Sequence, residues 1–169
     1  MSTLQMILPE PVSEAVENAF LERLRAKVLA GASNLLVAVE AVRAKYGDEG
    51  MKVLRRAFAE AAVEAGKERA KTSEDNSPRT FCSFIEKAYI GSHEWQKLED
   101  SDDRQAYSFT RCMWAEALNA CGASDVGFQL LCAGDAAMAS AFNPAIRVSR
   151  TKYLMRGDDC CNPVFYLKK

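Results

Sequence analysis

The chain has a single histidine, no Cys-x-x-Cys pair, no long apolar run and almost no net charge. Each shortage removes a class of function. With one histidine, any cysteine–histidine dyad must use His93. Without a Cys-x-x-Cys spacing a structural zinc site has no support. A net charge of -1 denies the chain the basic surface that nucleic acid or an anionic membrane requires, so neither is an expected partner. No segment approaches the roughly 18–20 apolar residues of a membrane span. The opening residues, MSTLQMILPEPVSE, lack the cationic and apolar regions of a signal peptide, and a cytoplasmic location is the expectation. No internal repeat is evident.

What is there is ordinary globular composition, 49% apolar and 27% charged, in 169 residues that suffice for one domain with a real core. The expected division is a helical N-terminal part, 1–77, and a site-bearing α+β part, 78–169. Val16, Phe20, Leu24 and Val28 mark one helical face; Leu35, Val39, Val42 and Tyr46 mark a second, with Gly31 as a break or kink between them. Asp48 is placed to cap a third helix whose face is Val53, Leu54, Ala57, Phe58, Ala61 and Ala65. After a polar linker from Lys71 to Ser77, Pro78 opens a short helix that Gly91 ends.

The second half alternates differently. Trp95 to Glu99 and Arg104 to Thr110 read as strands around an Asp100-Ser101-Asp102-Asp103 turn. A helix from about Cys112 to Ala120 stops at Gly122, and another runs from about Ser124 to Phe142, ended by Asn143-Pro144. Two last strands, Ala145 to Leu154 and Pro163 to Leu167, flank an Arg156-Gly157-Asp158-Asp159 turn. The fold class is α+β, a helical layer on a small antiparallel sheet.

Chemistry concentrates in RTKYLMRGDDCC, residues 150–161. Strand alternation sets Arg150 and Lys152 on one face with Ile146, Val148 and Leu154. Cations there need partners: a bound carboxylate, or Asp158 and Asp159. Cys112 stands where a strand becomes a helix, so the macrodipole and Arg111 favour either a thiolate there or a buried structural thiol. Glu116, four residues on, shares its helical face. Asp135 is an acid on an apolar helix; burial would raise its pKa and suit it to proton transfer, whereas an edge position would leave it solvated. Cys160 and Cys161 diverge if extended, so one faces the site. Trp114 reads as core or pocket wall, and Cys121 and Cys132 as core. All six cysteines are expected as reduced thiols.

The order Arg111-Cys112, Ala115-Glu116, Gly122-Ala123, Cys132-x-x-Asp135, Phe142-Asn143-Pro144, then RTK at Arg150–Lys152 and GDDCC at Gly157–Cys161, is similar to the L-2-amino-thiazoline-4-carboxylic acid hydrolase family. The resemblance spans roughly residues 80–167. It implies a soluble enzyme that opens a small heterocycle at a C–N bond, giving a carbamoyl amino acid, with no organic cofactor.

The reading that follows is a cysteine hydrolase with a small-molecule substrate. Cys112 attacks the ring carbon between two heteroatoms, with Cys161 as the other candidate nucleophile. Glu116 or Asp135 shuttles the proton. Arg150 holds the substrate carboxylate, and Lys152 or backbone N–H groups steady the tetrahedral intermediate. Asp158, Asp159, His93 and Trp114 line the pocket. A metal-assisted version using Asp135, Asp158 and a cysteine lacks a recognisable spacing, so no metal is expected. The alternative is a noncatalytic small-molecule or redox-sensing domain. A homo-oligomer is left open.

Overall fold

The computed structural model describes residues 8 and 10–168. In chain order the elements are α1 (Glu14–Lys71), α2 (Pro78–Tyr89), β1 (His93–Asp100), β2 (Arg104–Cys112), α3 (Met113–Ala120), α4 (Ser124–Gly127), α5 (Gly134–Phe142), β3 (Ile146–Ser149) and β4 (Val164–Leu167). A π-helical turn, Phe128–Cys132, joins α4 to α5, and a 3-10 turn, Leu154–Arg156, lies between β3 and β4. The α+β expectation holds: helices pack on a four-stranded antiparallel sheet of order β1-β2-β4-β3.

Helix α1 starts at Ser13, whose hydroxyl accepts the Val16 N–H. It breaks once, at Gly47, where φ 56° and ψ -141° are open only to glycine. Leu35 and Leu36 share one apolar cluster with Leu54 and Phe58, around Val39 and Met51. A straight helix would hold Leu35 and Phe58 about 35 Å apart at 1.5 Å per residue, so the two arms fold back on each other. Gly31 is not the break. The helix runs through it, and the missing side chain admits the Trp114 indole, whose Cη2 would lie 3.0 Å from a Cβ.

The inner face of the first arm is Leu24, Val28, Ala32 and Val39. Val16 and Val53 are exposed; at 3.6 residues per turn Val16 sits about 120° round from Val28. Tyr46, beside the Gly47 turn, is exposed too.

The β1–β2 hairpin closes as expected, with Ser101 and Arg104 exchanging backbone hydrogen bonds of 2.9 and 3.4 Å. Its strands reach further than expected, to His93 and Cys112. Strand β3 is shorter, ending at Ser149 instead of Leu154. Ser149 pairs with Val164, so the next residue would face Pro163, which has no N–H to donate. Arg150 and Lys152 therefore do not share a strand face. The chain from 150 to 163 is a loop stitched by its own side chains. Asn162 Oδ1 accepts the Thr151 and Lys152 N–H groups at 3.0 and 2.8 Å, and Asp158 accepts the Tyr153 N–H at 2.7 Å.

Two packed regions hold these parts. Phe81 of α2, Phe142 of α5 and Phe165 of β4 meet at centroid distances of 5.3 and 5.6 Å, binding the helices to the sheet. Val28, Ala32, Met113, Leu118 and Met155 pack the first arm of α1 against α3 and the 150–163 loop. Between the two regions lies a cavity.

Candidate active site

The cavity measures about 330 Å³ and is walled by the end of α2, the β1–β2 ladder, the head of α3, the π-helical turn, α5 and the 150–163 loop. Its lining includes His93, Cys112, Trp114, Asp135, Arg150 and Cys161 from the sequence reading. It also includes Tyr89, Ser92, Phe109, Leu131, Cys132 and Met155, which that reading did not place there.

Cys112 is the last residue of β2 and the N-cap of α3, with extended φ -146° and ψ 112°. Its Sγ accepts the Ala115 N–H at 3.4 Å. The cap N–H groups of Ala115 and Trp114 favour a thiolate, but burial outweighs them and pushes the thiol above its ordinary pKa. Of the two expectations for Cys112, a thiolate or a buried thiol, burial favours the thiol. Glu116 does not share its face. A cap residue lies outside the helical stagger, and Glu116 turns outward to Arg111 Nε at 2.7 Å and Arg25 at 3.7 Å. It is not part of the cavity wall, although its charge acts on the Cys112 thiol.

Arg150 reaches across to α5, where its Nη2 donates to Asp135 Oδ2 at 2.6 Å. The partner is Asp135, not Asp158 or Asp159. Only 10% of the Arg150 side chain and 18% of Asp135 are exposed. Burial raises the Asp135 carboxyl, opposed by the guanidinium beside it. The Arg150 plane also covers the Tyr153 ring at 5.2 Å. Its Nε is buried and has no hydrogen-bond acceptor among the described residues. Leaving such a donor unsatisfied costs about 1–3 kcal/mol.

His93 stacks on Tyr89, with centroids 3.9 Å apart and planes 17° from parallel. Its Nδ1 lies 2.9 Å from Ser92 Oγ. Burial drops the imidazole pKa to about 4, so the ring is neutral near pH 7. The same cause pushes Tyr89 above its ordinary value.

Two more thiols share the cavity. Cys161 Sγ accepts the Leu154 N–H at 3.1 Å, and burial raises its pKa against the pull of that N–H and of Arg150. Cys132, expected in the core, stands in the wall with its thiol pushed up to about 12 by burial. The π-helical turn puts it there, since a wider turn shifts the following side chains around the helix axis. Cys121, also expected in the core, is exposed at the C-terminal cap of α3.

Three expected pocket residues lie outside. Lys152 pairs with Asp159 at 2.8 Å on the surface, and Asp158 caps its own loop. Among the described residues no group of three or more histidine, cysteine or acidic side chains is placed to hold a metal ion. The Asp135–Asp158–cysteine arrangement therefore has no site. Among the described residues no helix is long and apolar enough to cross a membrane.

The pairing of His93 with Cys112 was missed, although both residues were named, and it was within reach of simple counting. Along the ladder Asp100 pairs with Gln105 and His93 with Cys112, each seven residues further on. Two register shifts between them cancel. Strands stopped at Trp95 and Thr110 fell short of that last pair.

No curated protein matches the chain. A similar solved structure is that of the phenol-responsive sensory domain of the transcription activator PoxR with phenol. It is 12% identical and covers 83% of this chain and 74% of that one, with a TM-score of 0.43. The family model for L-2-amino-thiazoline-4-carboxylic acid hydrolase matches residues 25–165, taking in most of α1 as well as the cavity, and the chain belongs to that family.

Proposed function

We propose that the chain is a cysteine-dependent hydrolase that opens a small heterocycle bearing a carboxylate, a cyclic amidine of the 2-aminothiazoline-4-carboxylate type. Opening is at a C–N bond and gives a carbamoyl amino acid. One observation carries this reading: the Cys112 thiol and the Arg150 guanidinium, with its unsatisfied Nε, belong to the wall of one cavity. A nucleophile and an anion clamp must reach the same small molecule, and about 330 Å³ is the low end of ligand-site volumes.

In this mechanism the substrate carboxylate supplies the acceptor that Arg150 lacks. Asp135 orients the guanidinium through Oδ2 and offers its other oxygen to an N–H of the ring. Cys112 Sγ attacks the carbon between the two heteroatoms, and the head of α3 steadies the charge that develops. Trp114 and Cys161 close the wall around the ring.

The test is a panel of thiazoline, hydantoin and lactam carboxylates, followed by mass spectrometry for the gain of one water. Turnover is expected in the wild type and lost in Cys112→Ser, because a hydroxyl lacks the thiol's nucleophilicity. A new amine in the product marks C–N opening, whereas a new thiol from a thiazoline marks C–S opening. Full turnover in Cys112→Ser removes that residue from the mechanism, and inactivity of Cys161→Ser alone moves the nucleophile there.

A second reading is a noncatalytic binding or redox-sensing domain. It is favoured by burial raising all three cavity thiols, Cys112, Cys132 and Cys161, since reactivity follows thiolate fraction. Saturable ligand binding with no mass gain across the panel selects it.

A further inference from the structure

We propose that His93 is the base that takes the Cys112 proton, and that Ser92 holds its ring in the tautomer this task requires. The proposal rests on the hydrolase reading above and supplies the proton acceptor that Glu116, turned outward, does not.

His93 and Cys112 are direct cross-strand partners. The Met113 N–H donates to the Ser92 carbonyl at 2.9 Å, one residue outside the pair on each strand. That bond identifies His93·Cys112 as a non-hydrogen-bonded pair, the kind with Cα atoms about 4.5 Å apart and side chains closest. Opposite residues point to the same face of a sheet, and both belong to the cavity wall.

The tautomer on this proposal is set by Ser92. Its Oγ lies 3.2 Å from the Tyr89 carbonyl, an atom that can only accept, and 2.9 Å from His93 Nδ1. With the hydroxyl hydrogen on the carbonyl, the second contact runs from Nδ1–H to Oγ. The lone pair is left on Nε2, which no hydrogen bond occupies among the described residues. Tyr89 stacks on the ring and fixes its plane. Burial leaves the imidazole neutral near pH 7 and the Cys112 thiol protonated, so the proton passes to Nε2 only as sulfur bonds to the substrate carbon.

The step balances within the site. Nε2 takes the Sγ proton as sulfur bonds to the amidine carbon. The C=N π bond breaks, its electron pair moves to the ring nitrogen, and that nitrogen takes the proton back from Nε2–H. The thiol has added across C=N, and the imidazole is neutral again. His93, the partner of the thiol, is a catalytic residue on this reading; Ser92 is a positioning residue.

A single histidine makes the test unambiguous. Nitrogen-15 NMR of the full chain at neutral pH should show Nδ1 protonated and Nε2 bare, with the preference lost in Ser92→Ala. Iodoacetamide labelling of Cys112, followed by peptide mass, should slow at neutral pH in both His93→Gln and Ser92→Ala. In alkaline buffer, where hydroxide removes the proton, labelling should match the wild type. Turnover in His93→Gln should fall by about 10²–10⁴-fold, the span of general-base catalysis. An Nε2-protonated wild type overturns the proposal even if His93→Gln fails to fold. Unchanged turnover in His93→Gln, with Cys112→Ser inactive, overturns it while leaving the hydrolase reading intact; an active Cys112→Ser removes that reading itself.

Discussion

Arg150 and Lys152 stand two residues apart and each holds a carboxylate, yet the two pairs do different work. Arg150 and Asp135 are 10% and 18% exposed and join the loop to α5 across the cavity wall; Lys152 and Asp159 are 47% and 75% exposed and join the loop to itself. Water screens the second pair and leaves it worth little. The first has given up its hydration, so removing either member strands a charge. Charge density along a sequence therefore says little about where a site is. Which cation the fold desolvates says much more.

The largest break in this comparison is Asp135→Ala. It leaves the Arg150 guanidinium buried without its partner and should cost about 3–5 kcal/mol in urea unfolding. The double change Asp135→Ala, Arg150→Met should cost less than the single one, because no orphan charge remains. A double variant that loses more than the single would show that packing, not charge, holds this wall.

Next comes the acid response of the cavity. The folded pKa of His93, about 4, lies below its unfolded value of 6.5. Its contribution is thus fully present above pH 6.5 and is lost as pH falls through about 4. The span corresponds to on the order of 3 kcal/mol. Asp135, whose folded pKa is raised, works in the opposite sense over the acid range. Comparing wild type with His93→Gln isolates the histidine. The wild type should lose more stability between neutral and mildly acidic buffer, and parallel losses would mean that the ring is hydrated after all.

Lys152→Ala should do least. Its unfolding midpoint should stay within error of the wild type, at low salt and high. A clear loss at low salt would move this pair into the same class as Arg150–Asp135.

Local chemistry made much of the fold legible. Asp and Ser at 100–103 favour a hairpin turn through their own side chains, Gly122 supplies the φ of +66° that follows α3, and Asn143-Pro144 cannot continue α5. Cys112 at the head of a helix was legible for the same reason. What failed depended on partners distant in sequence. The end of β3 is set by Pro163, just before the neighbouring strand, and Arg150 is the first residue beyond the ladder. Cys121 looked like core by spacing, yet α3 ends just before it. Glu116 obeyed the four-residue rule, but the rule does not extend to a cap. His93 and Cys112 lie 19 positions apart, joined only by a register counted back from the turn.

The Trp114 indole is a partition, with the cavity on one side and Gly31 of α1 behind it. A methyl group at position 31 would start 3.0 Å from the ring, so the indole would have to yield by a few tenths of an ångström. Its free side is the cavity. A residue on a helix outside the wall thus stands as a shim behind a panel. Gly31→Ala should press the indole towards the cavity and narrow it without altering one chemical group inside it.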